Sequence, residues 1–229
     1  MTEAWRSRWA ALALALAGCS NVDAQWQLDH ERIIAVRATP PHILAGAQST
    51  IDVFVGHAGA PVEVIPPTAV TVTSPTNLTG IVSGATVTAP DEAMLDQVRS
   101  DLGLTATEPV PVELGIEADG FAALKTVYIG DSADNPTLDG LMIDNLPPPT
   151  DPTATIAVAA NVDIPLFVTA DDTVDNVNWL TSCGTMNDFD LHDAFLHVNP
   201  SDPQSGQLAV VLRDNNGGVV WQFWSIQAQ

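Results

Sequence analysis

Short apolar runs separated by turn residues make up most of the chain after its N-terminal part. In one run, Ile51, Val53 and Val55 fall on one side of an extended segment, whereas Asp52 and Phe54 fall on the other. Such alternation is typical of a strand with one face in a core. Further runs rich in Val and Thr end at Pro or Gly, with the spacing of about 8–12 residues found in sandwiches and barrels. The pattern predicts an all-β protein.

One segment departs from this alternation. Residues 91–102 carry apolar side chains three and four positions apart, which is the periodicity of an amphipathic helix. Asp91 is a typical helix N-cap, and Gly103 is a typical helix end. The apolar stripe comprises Met94, Leu95, Val98 and Leu102. The segment predicts one short helix, which either closes an end of the β-sandwich or binds a partner.

A proline-rich stretch divides the chain into two β series. Three consecutive prolines at 147–149 favour a stiff, extended conformation. We therefore place a linker at 132–153, between a first module at 31–131 and a second module at 154–229. In the second module we expect Trp179 to be a buried anchor on a central strand.

The N-terminus has the features of a secretory signal. Arg6 and Arg8 precede an unbroken run of Ala and Leu at 10–17, which Gly18 and Cys19 follow. The run is far shorter than the roughly 20 apolar residues that a membrane-spanning helix needs. These features alone leave open whether Cys19 has a role or is a chance residue behind an ordinary signal.

The order Leu16-Ala17-Gly18-Cys19 resembles the lipobox of bacterial lipoproteins. The resemblance implies removal of residues 1–18, diacylation of the Cys19 thiol and acylation of its amine, for example with palmitate. Residues 19–30 would then be a lipidated tether. Ser20, where an Asp often retains lipoproteins at the inner membrane, implies the outer membrane, with the protein facing either the periplasm or the surface. Several acyl chains on one residue hold far better than one chain.

The charge balance is strongly acidic. The chain has 28 Asp and Glu residues, 7 Lys and Arg residues and a formal net charge of −21. Nucleic-acid phosphates would be repelled by such a surface, so we expect no nucleic-acid partner. The acidic residues are dispersed through a chain that is 46% hydrophobic, which argues against a disordered acidic tail.

The chain contains two cysteines. If Cys19 carries lipid, Cys183 has no partner for a disulfide or for a thiolate metal site. We expect Cys183 to be a half-buried small residue that follows a core strand.

The second half resembles bacterial immunoglobulin-like or PKD-like modules. The residues that carry the resemblance are Val177-Asn178-Trp179, the turn Ser182-Cys183-Gly184 and the segment 212–219. Residues 32–55 look like the opening strands of a similar module. The resemblance implies two tandem immunoglobulin-like β-sandwich modules on a lipid anchor, the first with one short helical insertion. It implies little about a ligand.

Acidic residues near the predicted module boundary suggest a calcium site. The segment 131–136 resembles the linker of cadherin-type tandem modules, in which carboxylate and Asn oxygens bind Ca²⁺. The six candidate ligands are Asp131, Asp134, Asn135, Asp171, Asp172 and Asp175. Ca²⁺ takes about six to eight oxygen ligands, and carboxylates brought together without it would repel one another. The alternative is that acidic loops simply keep the surface soluble. We expect no other cofactor.

Aromatic side chains crowd the last strand. Trp221 and Phe223 share one face of it, and Trp224 lies on the other. Packing in the core and between the modules accounts for such a strand. The alternative is that Trp224 is an exposed ligand-binding residue on which a sugar stacks.

These features predict a lipid-anchored cell-envelope protein with a structural, adhesive or protein-interaction role and no catalysis. The expected partners are the membrane, through lipid on Cys19, and an envelope or surface protein or a glycan. The first alternative is a carbohydrate- or ligand-binding surface module. The second is a cryptic hydrolase, which no GxSxG motif in the sequence supports.

Overall fold

The computed structural model describes residues 24–151, 153–171, 173 and 175–229. Cys19 and Asp172 lie outside the described residues, so lipidation of Cys19 stays a prediction. No helix in the described part of the chain is long and apolar enough to cross a membrane. The described residues form strands, one α-helix and one 3-10 helix, and the predicted all-β class with two tandem β-sandwich modules is confirmed.

The first module is a sandwich of two sheets. Its strands are β1 (Arg32–Thr39), β2 (His42–Ile43), β3 (Gln48–His57), β4 (Ala60–Ile65), β5 (Ala69–Ser74), β6 (Val82–Ser83), β7 (Thr86–Thr88), β8 (Val110–Ala118) and β9 (Phe121–Ile129). The 3-10 helix (Thr76–Ile81) and the α-helix α1 (Glu92–Leu102) lie between strands. One sheet has the order β1-β3-β7-β6, with β4 also paired to β3, and the other has the order β2-β9-β8-β5.

The core of this module follows the period-two alternation of its strands. Val110, Val112, Leu114 and Ile116 of β8 are each fully buried, and the two glutamates of the strand, Glu113 and Glu117, are exposed. Apolar side chains of β3 enter the same core from the opposite sheet. Because each buried methylene contributes about 0.8 kcal/mol, the alternation determines which face of β8 turns inward.

Helix α1 is present as predicted, but it buries a narrower stripe. The Asp91 carboxylate accepts a hydrogen bond from the Met94 N–H (2.9 Å) and caps the helix. Leu95 and Val98 are buried in the core of the first module, whereas Met94 and Leu102 are 40% and 44% exposed. The helix therefore packs on the sandwich through one side only.

The second module is also a sandwich of two sheets. Its strands are β10 (Met142–Ile143), β11 (Thr155–Val158), β12 (Asp163–Phe167), β13 (Asn176–Thr181), β14 (Thr185–Asn187), β15 (Asp193–His197), β16 (Ser205–Arg213) and β17 (Val219–Ala228). The sheets have the orders β11-β17-β16-β13 and β10-β12-β15-β14. Trp179 of β13 is fully buried in the core between them, as predicted, but β13 is the last strand of its sheet and not a central one. Cys183 is also fully buried, not half-buried.

The predicted linker boundaries are wrong. Strand β10 lies inside the segment 132–153, yet it pairs with β12 of the second module. Leu141 and Ile143 belong to the core of that module. The prolines at 147–149 therefore lie within the second module, between β10 and β11. Proline stiffness predicts an extended segment, but it does not say which elements the segment connects.

Part of the predicted tether is also folded. The Thr181 N–H donates to the Trp26 carbonyl, and the Leu28 N–H donates to the Thr181 carbonyl, both at 2.9 Å. Leu28 is only 1% exposed. The segment lacks periodicity because it follows the edge of β13 for a few residues and then leaves it. Residues 26–28 are thus part of the folded protein and not of a free tether.

Candidate functional site

The two modules contact each other through the faces of two sheets. The sheet that holds β1, β3 and β4 faces the sheet that holds β13, β16 and β17, and their side chains form one apolar cluster, which we call the junction. Its buried members are Leu28, Ala35, Phe54, Val62, Leu180, Ala209, Val211, Val219 and Trp221. Strands β3 and β16 are consequently covered on both faces.

This double coverage has a signal in the sequence. Every residue of the run 208–212 in β16 is buried. Leu208, Val210 and Leu212 enter the core of the second module, whereas Ala209 and Val211 enter the junction. An unbroken apolar run is typical of strands with both faces buried. The period-two interpretation of the sequence overlooked this run.

Aromatic rings form the centre of the junction. The Phe54 ring stacks with Trp221 at a centroid distance of 5.5 Å and with Phe223 at 5.4 Å. The Arg37 guanidinium lies 4.1 Å from the centroid of the Trp221 ring, and its Nη2 is 2.5 Å from the Asp52 carboxylate. Each aromatic pair contributes about 0.5–1.5 kcal/mol beyond burial, and a cation–π contact contributes a similar amount. These contacts join residues of the first module to the last strand of the second.

Polar side chains connect the modules around this centre. The Asn135 amide donates from Nδ2 to the Ala38 carbonyl (2.8 Å) and accepts at Oδ1 from the Val219 N–H (2.8 Å). The imidazole of His42, which is 7% exposed, contacts the Asn216 carbonyl through Nε2 at 2.7 Å. Asn135 thus bridges a backbone group of each module, and His42 of the first module contacts a carbonyl of the second; both contacts fix the relative position of the two modules.

The residues predicted to bind calcium are not brought together. Asp131 is paired with His42 Nδ1 (2.7 Å), and both ends of the Asn135 amide are used in the junction. Asp171 accepts hydrogen bonds from the hydroxyl and the N–H of Thr173, which lower the pKa of Asp171. Among the described aspartates of the set, no three have carboxylate oxygens within 4.8 Å of one another. The predicted calcium site is therefore not assembled in this structure.

The alternative of an exposed Trp224 is wrong, and the favoured account, packing in the core and between the modules, is confirmed. Trp224 is fully buried in the core of the second module, together with Trp179. Trp221 and Phe223 lie on the opposite face of β17 and enter the junction, as the alternation predicts. Since both faces of β17 are covered, Trp224 offers no platform for a sugar.

A group of side chains that the sequence did not reveal surrounds His57 at the end of β3. Nδ1 lies 3.2 Å from Glu31 and 3.5 Å from Asp119, and Nε2 lies 3.1 Å from Glu63. Burial acts to lower the pKa of His57, but hydrogen bonds to Glu31 and Glu63 and the charges of Glu31 and Asp119 outweigh it and raise the pKa. Because carboxylates engage both ring nitrogens, we interpret the group as an ion-pair network that ties the segment before β1, strand β4 and the turn between β8 and β9 to the end of β3.

Basic side chains are concentrated at the junction. Apart from Arg99 in α1, the described Lys and Arg residues are Arg32, Arg37, Lys125 and Arg213, and each contacts the junction or its margin. In a chain with a net charge of −21, the scarce positive charge thus lies where the modules meet.

Lys125 is the chain's single lysine and is 7% exposed. Its ammonium donates to the Gly217 carbonyl of the second module. Burial lowers the pKa of Lys125 to about 8; the charge of Asp214 opposes this shift, and that of Arg213 reinforces it. The folded protein therefore releases this proton at a lower pH than the unfolded chain does.

Stability is expected to rise between pH 8 and pH 10.5, the folded and ordinary pKa values of Lys125. In this window the unfolded chain holds a proton that the folded chain has released, so a higher pH favours the folded state. The contribution of Lys125 is on the order of 2 kcal/mol. Urea unfolding of the wild type and of Lys125→Met at pH 8 and pH 10 measures this contribution. The free energy of unfolding should rise less for Lys125→Met than for the wild type. Parallel pH dependences of the two proteins would show that Lys125 titrates normally.

No family model matches the sequence, and no curated protein matches it. Among solved structures, the chain is similar to a nucleoside hydrolase-related hypothetical protein from Saccharophagus degradans, with 13% identity over 39% of this chain and a TM-score of 0.31, and it spans 25% of that protein. It is similar to a chimeric titin Z1Z2-Z1Z2 tandem (12% identity, 87% of this chain, 100% of that chain, TM-score 0.29). It is also similar to the N-terminal Ig1-2 module of the Drosophila receptor protein tyrosine phosphatase DLAR (11% identity, 87% of this chain, 100% of that chain, TM-score 0.30). Similarity at these levels carries no argument about function.

Proposed function

We propose that this chain is a lipid-anchored protein of the outer membrane in which two rigidly joined immunoglobulin-like modules serve a structural, adhesive or protein-interaction role without catalysis. The observation that carries the proposal is the junction. Interfaces between domains that are small and polar allow relative motion, whereas a large apolar one suppresses it. A junction with an aromatic centre and buried polar links therefore holds both modules at one angle, as a spacer or an interaction scaffold requires.

The position of Cys19 supports an anchor close to the folded modules. Ala24, the first described residue, follows Cys19 by five positions (24 − 19 = 5). A chain of that length spans at most about 17 Å when fully extended. Residues 26–28 already pack against β13. Lipid on Cys19 would therefore hold the modules near the headgroups of the bilayer.

Substitution Cys19→Ala is expected to release the protein from membranes. With the thiol removed, no diacylglycerol can be attached, and the acyl chains that hold the protein at the bilayer are absent. Intact mass measured on membrane fractions should show a wild-type chain that begins at Cys19 and carries acyl groups. The substituted protein should appear in the soluble fraction without them.

The second cysteine provides a matched control. Cys183 is buried and forms no disulfide within the described part of the chain, so Cys183→Ala should keep both the acyl mass and the membrane association. A wild-type protein without acyl mass, or one that stays soluble, would contradict the anchor. With either result, the protein would be a freely diffusing two-module protein.

A further inference from the structure

A cavity of about 240 Å³ opens at the edge of the junction, and its walls carry positive charge. Arg32 lines it from the first module, and Arg213 and Asn178 line it from the second. No carboxylate belongs to its lining. The lining of the cavity is thus positively charged, although the whole chain has a net charge of −21.

The guanidinium group of Arg32 is held in place without a counter-ion. Its Nη2 donates to the carbonyls of Gln25 (2.9 Å) and Gln27 (2.5 Å). Its Nε is buried and has no hydrogen-bond partner in the described part of the chain. A buried donor without an acceptor costs about 1–3 kcal/mol, and more when the group is charged. Arg32 is thus oriented by the backbone, and its Nη1 makes no hydrogen bond to a described residue.

Arg213 has the same character. Its Nη1 donates to the Asn178 side-chain oxygen (2.6 Å), and its Nη2 donates to the Ile34 carbonyl (2.9 Å). Both acceptors are neutral, and no described carboxylate lies within 4.0 Å of either Arg32 or Arg213. Burial also lowers the pKa of both guanidinium groups, because a charge is less well solvated away from water. Two uncompensated cations in one cavity call for an anion.

We propose that this cavity binds a small organic carboxylate, with its oxygens on Arg32 and Arg213. The hydrocarbon part of the ligand lies against the apolar walls formed by Ile34, Leu180 and Phe189. Planar guanidinium groups match the two oxygens of a carboxylate and bind them in a bidentate manner. The cavity is smaller than the roughly 300–1,000 Å³ of drug-sized sites, so the ligand is small. This inference goes beyond the structural role and does not depend on the anchor.

The apolar walls distinguish a carboxylate with a hydrocarbon body from inorganic phosphate. Phosphate would satisfy the two guanidinium groups but would leave the apolar walls in contact with water. A short carboxylate satisfies the charges and buries its methylene groups, each of which contributes about 0.8 kcal/mol. We therefore expect butyrate to bind more tightly than phosphate.

The test is a titration of the purified full-length chain with butyrate, followed by NMR at physiological ionic strength. Butyrate should bind saturably. Butyramide, which has nearly the same shape without the charge, should bind at least about tenfold more weakly, since charge-assisted hydrogen bonds are roughly twice as strong as neutral ones. Inorganic phosphate should also bind more weakly than butyrate. Non-saturable binding of butyrate, or equal binding of butyramide or phosphate, would overturn the proposal.

Substitutions locate the site. Arg32→Gln and Arg213→Gln should each weaken butyrate binding by about tenfold or more. Arg37→Gln is the matched control, because it removes the same charge from the junction at a residue that already pairs with Asp52 and does not line the cavity. Its affinity for butyrate should be unchanged. Equal weakening by Arg37→Gln and Arg32→Gln would show that the charge of the junction, and not this cavity, attracts the anion.

Arg213→Gln removes a hydrogen bond that joins the two modules, to the Ile34 carbonyl, whereas Arg32→Gln removes hydrogen bonds only to the segment before β1. Arg32→Gln therefore decides the question by itself, with folding checked by the dispersion of the NMR spectrum. A folded Arg32→Gln protein that binds butyrate as the wild type does would contradict the assignment.

Discussion

Trp221→Ala is expected to lower the free energy of unfolding by about 3–5 kcal/mol and to uncouple the two modules. Trp221 is 8% exposed, and its ring contacts Phe54 and the Arg37 guanidinium at the centre of the junction. Truncation leaves a cavity at the centre of the apolar contact between the two sheets and removes the ring that Phe54 and Arg37 pack against. Urea unfolding should change from one transition to two, and small-angle scattering should show a wider range of module orientations.

Trp224→Ala is the control for this prediction. It removes the same side chain from the same strand, but from the core of the second module. We expect a similar loss of stability within the second module. As long as both modules are folded, the junction should keep its contacts and the modules should keep their relative orientation. If Trp221→Ala unfolds in one transition at the wild-type urea concentration, the junction does not couple the modules and the proposed rigidity is wrong.

Gly184→Ala is expected to destabilise the protein by about 3 kcal/mol. Gly184 has a φ of +80°, a conformation that costs an L-residue about 1–2 kcal/mol. An added Cβ would also press against the backbone carbonyl oxygen of His197 and lie 3.0 Å from Val198 Cγ2. The His197 carbonyl belongs to strand β15 and cannot move without disturbing the sheet, which adds about 1–3 kcal/mol of overpacking. Thermal unfolding, monitored by circular dichroism, measures the total loss of stability from the two effects.

Gly120→Ala separates the two causes. Gly120 has nearly the same φ, +78°, but a Cβ there would meet no atom within 4 Å. Only the conformational cost applies, so we expect a loss of about 1 kcal/mol. Equal losses for the two substitutions would mean that the close approach to His197 contributes nothing.

Local interactions explain which elements the sequence predicted well. Helix α1 begins after Asp91 and ends at Gly103 through hydrogen bonds to residues no more than a few positions away in the sequence. The identity of these two residues is therefore enough to place the helix. The alternation in β8 likewise places Val112 and Leu114 on one face without knowledge of the partner strand. Strand β10 was missed because two residues carry no period, and only its pairing with β12 makes it a strand.

The candidate sites depended on contacts that no local pattern contains. The acidic residues near 131–136 have the composition of a calcium linker, yet Asn135 binds Ala38 and Val219, which lie 97 and 84 positions away. Arg213 donates to the Ile34 carbonyl across 179 positions. The cavity between Arg32 and Arg213 therefore has no signature in the sequence beyond the scarcity of basic residues.

The all-β class, the helix, the inward face of most strands and the acidity of the protein follow from the order of residues alone, because side-chain period, capping and charge act locally or sum over the chain. What covers the outer faces of β3, β16 and β17, and where the basic residues meet, follows only from the folded arrangement. Alternation determines to which side of a strand a residue points. What lies on that side is set by packing between segments far apart in the chain.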